Sequence, residues 1–477
     1  MEAAIQDLRS FIGVLESMGE IKKIAGADWN LEIGGLTELF SEKRGAALLF
    51  DQVKGYPAGY RVFTNIFRTE KRLALTLGLD TDLRGIDLLN AWRFKLRSFE
   101  PMPVTLVEGG PLFENTMTEK EIDLTRFPAP LWHELDGGRY IGTGCCVVTK
   151  DPESGHINVG TYRCMVQGKD RITVKMDKGK HGRIAQDKYH QAGKACPVVI
   201  SLGQDPWLFM ASTSPLSLDA SEFEFAGWLR GAPIQVVPGP LTGLPIPATA
   251  EIVLEGEIPP YGPEKLPKEG PFGEWPGYYT NTTVGEVAIM EVKRVYYRND
   301  PILVGVPPLK PPNQYLPIPM AAATLWDQLE KAGIPEVKGV WGFVYGPVGP
   351  FSVISIRQRY AGHAKQTALV ACGAKAGVTG GKFVVVLDDD VDITDPQDVI
   401  WAMATRCNVR EGVDIVKGVL TTPVEPAVHP SARGSRGNTM DRVLIDACRP
   451  YQWLDEFPPV NSFSKEYKQQ LEKKWTL

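Results

Sequence analysis

Residues 146–149 read Cys-Val-Val-Thr, 172–174 Ile-Thr-Val, 197–200 Pro-Val-Val-Ile, 234–237 Ile-Gln-Val-Val and 251–254 Glu-Ile-Val-Leu, and Val284–Met290 closes the series. Each run is short, rich in β-branched residues and bounded by Gly or Pro, the pattern of strands in a barrel or sandwich. One clear helix interrupts them, Ser221–Arg230 (SEFEFAGWLR). The β-rich centre therefore predicts an all-β core with one inserted helix. Outward from it the pattern changes on both sides. Before about residue 120 the chain is mixed, with a strand at Ala47–Phe50 and an opening helix whose Leu8, Phe11, Ile12, Leu15 and Met18 make one apolar face. A Pro-rich passage, Phe127-Pro128-Ala129-Pro130, leads into the centre, and the Pro-dense stretch Pro307–Pro319 leads out of it. Beyond that, helix and strand alternate as in an α/β domain. Ala321–Ala332 and Arg357–Ala371 read as helices and Phe383–Leu387 as a buried strand. Asp395 with Pro396 and Asp398 opens another helix, and Ser464–Lys474 is a charged terminal helix.

At 477 residues the chain exceeds one hydrophobic core, so two or three domains are expected. The boundaries fall at 1–120, 121–315 and 316–477. With 43% hydrophobic and 23% charged residues and a net charge of -5, nothing marks a nucleic-acid or anionic-membrane partner. No stretch approaches the ~20 apolar residues of a membrane span, and the N-terminal segment reads as a helix rather than a signal peptide. The seven cysteines are scattered, without a CxxC pair, which fits a reducing cytoplasm.

Three segments carry side chains suited to chemistry. In Glu269-Gly-Pro-Phe-Gly-Glu274 two acids five apart would face opposite sides of a regular strand, but Gly270, Pro271 and Gly273 let the backbone curl and the acids converge. An acid there would have its pKa raised by burial and by its neighbour, as a proton donor needs. Taken alone, the stretch reads first as an exposed turn with two solvated glutamates. In Asn158-Val-Gly-Thr-Tyr-Arg163 the arginine ends an apolar run and needs an anionic partner, either substrate or a structural acid. His181, among polar residues, reads alone as a surface histidine; with Asn158 and Glu222 it would complete an N/O set suited to a divalent ion such as Mn2+. Other patterns fail. Gly377–Lys382 resembles a phosphate loop, but Ala376 and Phe383 stand where Gly and Ser/Thr belong. No GxGxxG follows a strand, and Gly-x-Ser-x-Gly is absent. Asp388-Asp389-Asp390 reads as the polar end of a buried strand.

In their order and spacing, these segments resemble the UbiD family of prenylated-FMN-dependent decarboxylases. The likeness runs from DLRSFIGVLESMGEIKKI at the N-terminus and DxVKGYP at 51–57 through Asn158–Arg163, Lys180-His181 and Ser221-Glu222 with Ala226-Gly227. It continues through PATAEIVLEGEI (246–257) and EGPFGE (269–274), then Gln358–Tyr360, Leu387–Asp390 and Trp401–Arg406. The resemblance implies a multidomain α+β molecule: a central split β-barrel that binds flavin, flanked by an N-terminal α/β domain and a C-terminal α/β domain used in oligomerisation, as homodimer or hexamer. It implies that Arg163 clamps a substrate carboxylate, Glu269 orients Arg163, and Glu274 is the proton donor. It further implies cofactor contacts from Asn158, Val159, Gly160, Thr161, Tyr162, Arg163, Lys180, His181, Ser212, Ser214, Glu222 and Lys375. Asn158, His181 and Glu222 would hold Mn2+ against the cofactor phosphate, and backbone atoms near Val159, Ala211, Ser212 and Ser214 would hold K+. The substrate would be a small aromatic, heteroaromatic or α,β-unsaturated acid, and a flavin prenyltransferase would supply the cofactor.

A proton donor beside an arginine is a conflict, since the cation lowers a neighbouring acid's pKa. Pairing Arg163 with Glu269 and leaving Glu274 in the drier position resolves it. Trp275 points to a flat substrate, Lys180 to a polar substituent or the cofactor, and the basic loop Gly434–Asn438 with Arg442 to a second anionic group. Three rivals stay open: carboxylation in the reverse direction, a non-catalytic subunit of a larger decarboxylase, and a plain FMN-binding module.

Overall fold

The computed structural model describes residues 5–475 apart from 215, 217–219, 281–284, 311–315, 317, 344–350, 375–380, 423 and 434–437. Lys375 and most of the 434–438 loop therefore lie outside the described residues. The strands gather into sheets whose membership does not follow chain order. The N-terminal sheet has the order Ile21–Ala25, Ala47–Asp51, Arg61–Thr64 and then Ile302–Gly305, a strand from far downstream that runs parallel to Arg61–Thr64. The opening helix, Leu8–Ser17, is capped by Asp7 and buries Leu8, Phe11, Ile12 and Leu15. Met18 is its C-terminal cap rather than part of the buried face.

The central sheet is wholly antiparallel. Its order is Arg171–Thr173, Ile289–Tyr297, Ile252–Ile258, Cys196–Ser201, Cys146–Lys150 and Ile157–Gly160, with Asn115–Thr118 added beside Ile289–Tyr297. Among the described residues these seven strands form an open sheet rather than a closed barrel. One predicted run pairs elsewhere and another is divided, Ile289 and Met290 staying in the central sheet. Gln235–Pro238 joins Pro245–Pro247 and Thr105–Leu106, and Gly285–Glu286 pairs with Lys268–Glu269. A short pairing of Tyr140–Gly142 with Cys164–Met165 sits at the end of the sheet nearest Arg163.

Three helices pack around that end. Glu222–Arg230 stands where the sequence places it. Pro206–Thr213 was not anticipated: Pro206 to Ser212 are all buried, so it lacks the polar face by which a surface helix is recognised. Its signal was the Asp205 cap, which accepts from Leu208 N, with Pro206 at the first helical position. The third, His181–Gln191, begins at the histidine read alone as a surface residue.

The C-terminal sheet is mixed, in the order Val337–Phe343, Phe351–Ile356, Phe383–Asp388, Asn438–Asp446 and Val413–Thr421. The helix over Pro396–Arg406 starts as predicted, with the Asp395 side chain accepting from Gln397 N. The helix expected from Arg357 starts only at His363. Arg357, Gln358 and Arg359 stay extended because their side chains reach Asp389, Asp388 and Glu336, and Gly362, at φ 83°, stands outside the helical region. The Asp388–Asp390 run serves ion pairs with Arg406, Arg449 and Arg357. Arg93 and Arg97, on Gly85–Arg97, bind Asp327 and Glu330 on Met320–Lys331 and tie the N-terminal and C-terminal helices together. Among the described residues no helix is long and apolar enough to cross a membrane.

Candidate active site

Arg163 leaves the edge strand Ile157–Gly160 and enters the pairing at Cys164–Met165. Opposite it, the chain from Glu269 to Glu274 turns: Gly270 takes φ 98°, a backbone conformation open to glycine, and the Gly270–Pro271 peptide is cis. The predicted convergence of the two acids is observed. Arg163 Nε and Nη2 donate to Glu269 Oε1 and Oε2, both at 2.9 Å, and Nη1 donates to Glu274 Oε1 at 2.8 Å. The side chains are 12% (Arg163), 1% (Glu269) and 19% (Glu274) exposed. The expected division is therefore corrected in two respects. Glu274 is paired with Arg163 as well, and Glu269 is the drier acid. The turn buries its first residue and leaves its last partly exposed.

The electrostatics still separate the roles. Burial raises the pKa of Glu274 above the ordinary glutamate range, although the Arg163 guanidinium opposes the shift. Burial works against the charge on Arg163, but the Glu269 hydrogen bonds together with the charges of Glu269 and Glu274 outweigh it and hold the guanidinium more firmly protonated than usual. Of the five N–H of the guanidinium, three go to these carboxylates. Among the described residues one N–H on each Nη is left over from these three bonds.

Two further residues belong to the site and were missed in the sequence, where Tyr140 in a Gly-flanked run and Phe272 inside the turn carry no distinguishing pattern. The Tyr140 hydroxyl donates to Glu269 Oε1 at 2.7 Å, and its ring lies 3.9 Å from that of Phe272. The Arg163 guanidinium sits 5.3 Å from the Phe272 ring centroid. The turn is also gripped from outside, since Gly137 N donates to Pro271 O at 2.8 Å.

On the other side of the edge strand, Asn158 is buried, and among the described residues its Nδ2 makes no hydrogen bond of good geometry, the Tyr162 hydroxyl being its polar neighbour. Glu222, first residue of its helix, accepts from Val159 N at 3.0 Å, and burial pushes its pKa up to about 7. The helix beginning at His181 packs on the same strand. Gly182 N donates to the Tyr162 hydroxyl at 3.4 Å. The three predicted ligands thus stand on adjoining elements. Among the described residues no three His, Cys, Asp or Glu side chains cluster as for a metal, so any such site would rely on the Asn158 amide. Thr161 N donates to Ser212 O at 3.3 Å, the two hydroxyls lie 2.7 Å apart, and Ser214 N donates to Ala211 O at 3.0 Å. Lys180 is exposed. Arg442 is buried and donates to the carbonyls of Cys372 and Leu420, which corrects its expected role toward a second anion. Trp275 lines a cavity of about 120 Å3 with Thr143, Thr161, Phe209, Thr213 and Pro308.

Comparison with known proteins agrees along nearly the whole chain. Residues 12–92, 101–311 and 314–447 match the N-terminal, Rift-related and C-terminal domain models of 3-octaprenyl-4-hydroxybenzoate carboxy-lyase (UbiD). A phenolic acid decarboxylase from Bacillus subtilis is 31% identical, covering 94% of this chain and 93% of its own. A pyrrole-2-carboxylic acid decarboxylase from Pseudomonas aeruginosa is also 31% identical, covering 100% and 99%. Among solved structures, the UbiD-class enzyme HmfF from Pelotomaculum thermopropionicum in complex with FMN superposes with a TM-score of 0.84 at 29% identity, covering 98% and 100%. An evolved dimeric form of that enzyme in complex with prFMN gives 0.80 at 28%, covering 97% and 98%. The chain belongs to the UbiD family of carboxy-lyases.

Proposed function

We propose that this protein removes CO2 from a small aromatic, heteroaromatic or α,β-unsaturated carboxylic acid, with prenylated FMN as cofactor. The observation that carries the reading is the Arg163 guanidinium, with three N–H fixed on Glu269 and Glu274; the N–H left on each Nη would form an open fork for a third carboxylate. Losing CO2 from an sp2 carbon leaves electron density that no side chain can absorb, and a modified flavin supplies the sink. The residues present fit such a group. Asn158 Nδ2 is a buried donor without a well-formed hydrogen bond among the described residues, and Glu222 is a buried acid accepting from a backbone N–H of the same strand. With His181 at a helix start, where anions are favoured, they would hold Mn2+ and the cofactor phosphate. Lys375 would reach that phosphate, and the oxygens around Val159, Ala211, Ser212 and Ser214 would hold K+. Gly160, Thr161, Tyr162 and Lys180 complete the cofactor side, and the antiparallel strands around them would make the split barrel of the 121–315 domain.

In this site Arg163 binds and orients the substrate carboxylate. Glu269 keeps the guanidinium in place through two parallel bonds. Glu274 Oε1 accepts from Arg163 Nη1, which leaves Oε2 to carry the proton that replaces CO2. Its raised pKa keeps it protonated to higher pH than an ordinary glutamate, and a bound substrate anion would raise it more. The 316–477 domain would assemble the homodimer or hexamer in the cytoplasm, and a flavin prenyltransferase would supply the cofactor. Co-expression with such a prenyltransferase, mass analysis of the bound flavin, and a screen of these acids for CO2 release and for H/D exchange at the product carbon test the reading. Absence of both prenylated flavin and conversion would remove it.

A further inference from the structure

Glu269 has a third donor that the site's division of roles does not use. Tyr140 is fully buried, and its hydroxyl donates to Glu269 Oε1, the oxygen that also takes Arg163 Nε. Its position is fixed from several directions. Tyr140 lies opposite Met165 in the short pairing that also carries Cys164, the neighbour of Arg163. Its backbone N donates to Pro130 O at 3.1 Å, and its carbonyl accepts from Trp132 Nε1 at 3.1 Å. Its ring is packed on Phe272, which in turn lies against the guanidinium. One phenol thus touches the acid at the start of the turn and the aromatic ring at its middle.

The terminal torsion of a glutamate is soft, with a broad distribution of carboxylate orientations. Two parallel bonds to an arginine keep the two groups together but let them swing as a unit. A donor from a rigid ring in a third direction removes that freedom. We infer that Tyr140 is a positioning residue: its hydroxyl fixes the Glu269 carboxylate, and through it the Arg163 guanidinium, so that the open fork and Glu274 meet a substrate carboxylate in one geometry. The inference rests on the decarboxylase reading for its consequence, but its structural half does not.

Tyr140→Phe keeps the ring on Phe272 and removes only the hydroxyl. In a crystal structure of the flavin-free variant, the Glu269 carboxylate should rotate or split into two conformers and pull the guanidinium with it; an unchanged Arg163–Glu269 pair overturns the inference whether or not the protein turns over. In the flavin-loaded enzyme, kcat should fall about tenfold or more, with KM within threefold and bound flavin and thermal midpoint near wild type. Tyr140→Leu, which also loses the packing on Phe272, should lower the thermal midpoint as well. A kcat for Tyr140→Phe within twofold of wild type, or a loss matched by a large drop in its thermal midpoint, assigns Tyr140 a merely structural role. Failure of the wild type to decarboxylate any acid counts against the proposed function alone, and the flavin-free structure then decides on Tyr140.

Discussion

Arg163→Lys keeps the charge at the centre of the site and removes its shape. The guanidinium makes three charge-assisted hydrogen bonds to two carboxylates, at 2.8 to 2.9 Å. A lysine ammonium is a single point and retains one of these with good geometry. Each bond to a charged group contributes about 1.5–3 kcal/mol, so losing two removes roughly 3–6 kcal/mol before water enters and the carboxylates relax. Glu269 stays buried while two acids share one poorly placed cation, so the flavin-free variant should unfold at clearly lower urea or temperature. The larger effect falls on turnover, because the open fork disappears along with the pairs. A loss of at least 100-fold in kcat/KM, about 2.7 kcal/mol at roughly 1.36 per decade, is the expected minimum. The assay is CO2 release from the best acid found in the screen, at matched flavin content. An Arg163→Lys enzyme within threefold of wild type would refute the argument, since neither the bidentate pair nor the fork could then carry the reaction.

Other predictions follow from the same geometry. Glu274→Gln should retain flavin and lose turnover by about 1000-fold or more, and H/D exchange into the product should vanish with it. Because burial raises the folded-state pKa of Glu274 above the ordinary 4.5, the native state binds more protons than the unfolded state between the two values. This residue's contribution to stability therefore falls as pH rises through that window, and decarboxylation should fall as pH rises through the folded-state value. In Glu274→Gln the corresponding part of the stability slope should disappear, as pH-dependent urea unfolding would reveal. Gly137→Ala would place a Cβ 2.0 Å from Gly270 O, so the 269–274 turn must shift. Activity should drop more than tenfold, and a fully active variant would show that the turn is not held by this contact. If Asn158 and Glu222 hold Mn2+, wild type should show a Mn2+-dependent rise in thermal midpoint that Asn158→Ala and Glu222→Gln each abolish, with metal-free midpoints close to that of wild type.

Local sequence was enough for features whose cause is local. The Asp395–Pro396 helix start was readable because a cap and its first turn lie within a few residues, and the opening helix because its apolar face repeats at helical spacing. The central strands were readable as strands. Their partners were not: short apolar runs look alike, so nothing in 234–237 or 302–305 announces that one joins a side sheet and the other the N-terminal sheet. The helix expected from Arg357 illustrates the same limit, since the residues that hold its first part extended lie on other elements.

The site divides along the same line. Arg163, Glu269 and Glu274 could be named from motif order alone, as could Asn158, His181 and Glu222. Only the folded chain decided that Arg163 holds both acids at once, across sequence separations of 106 and 111 residues. It also decided that Glu269 is the drier acid and that Tyr140 and Phe272 belong with them. Burial and hydrogen-bond direction are properties of the space between elements, and they set which carboxylate pairs twice with the arginine and which has its pKa raised. The sequence determined which chemical groups are present; the packing of an open turn against an edge strand determined their division of labour.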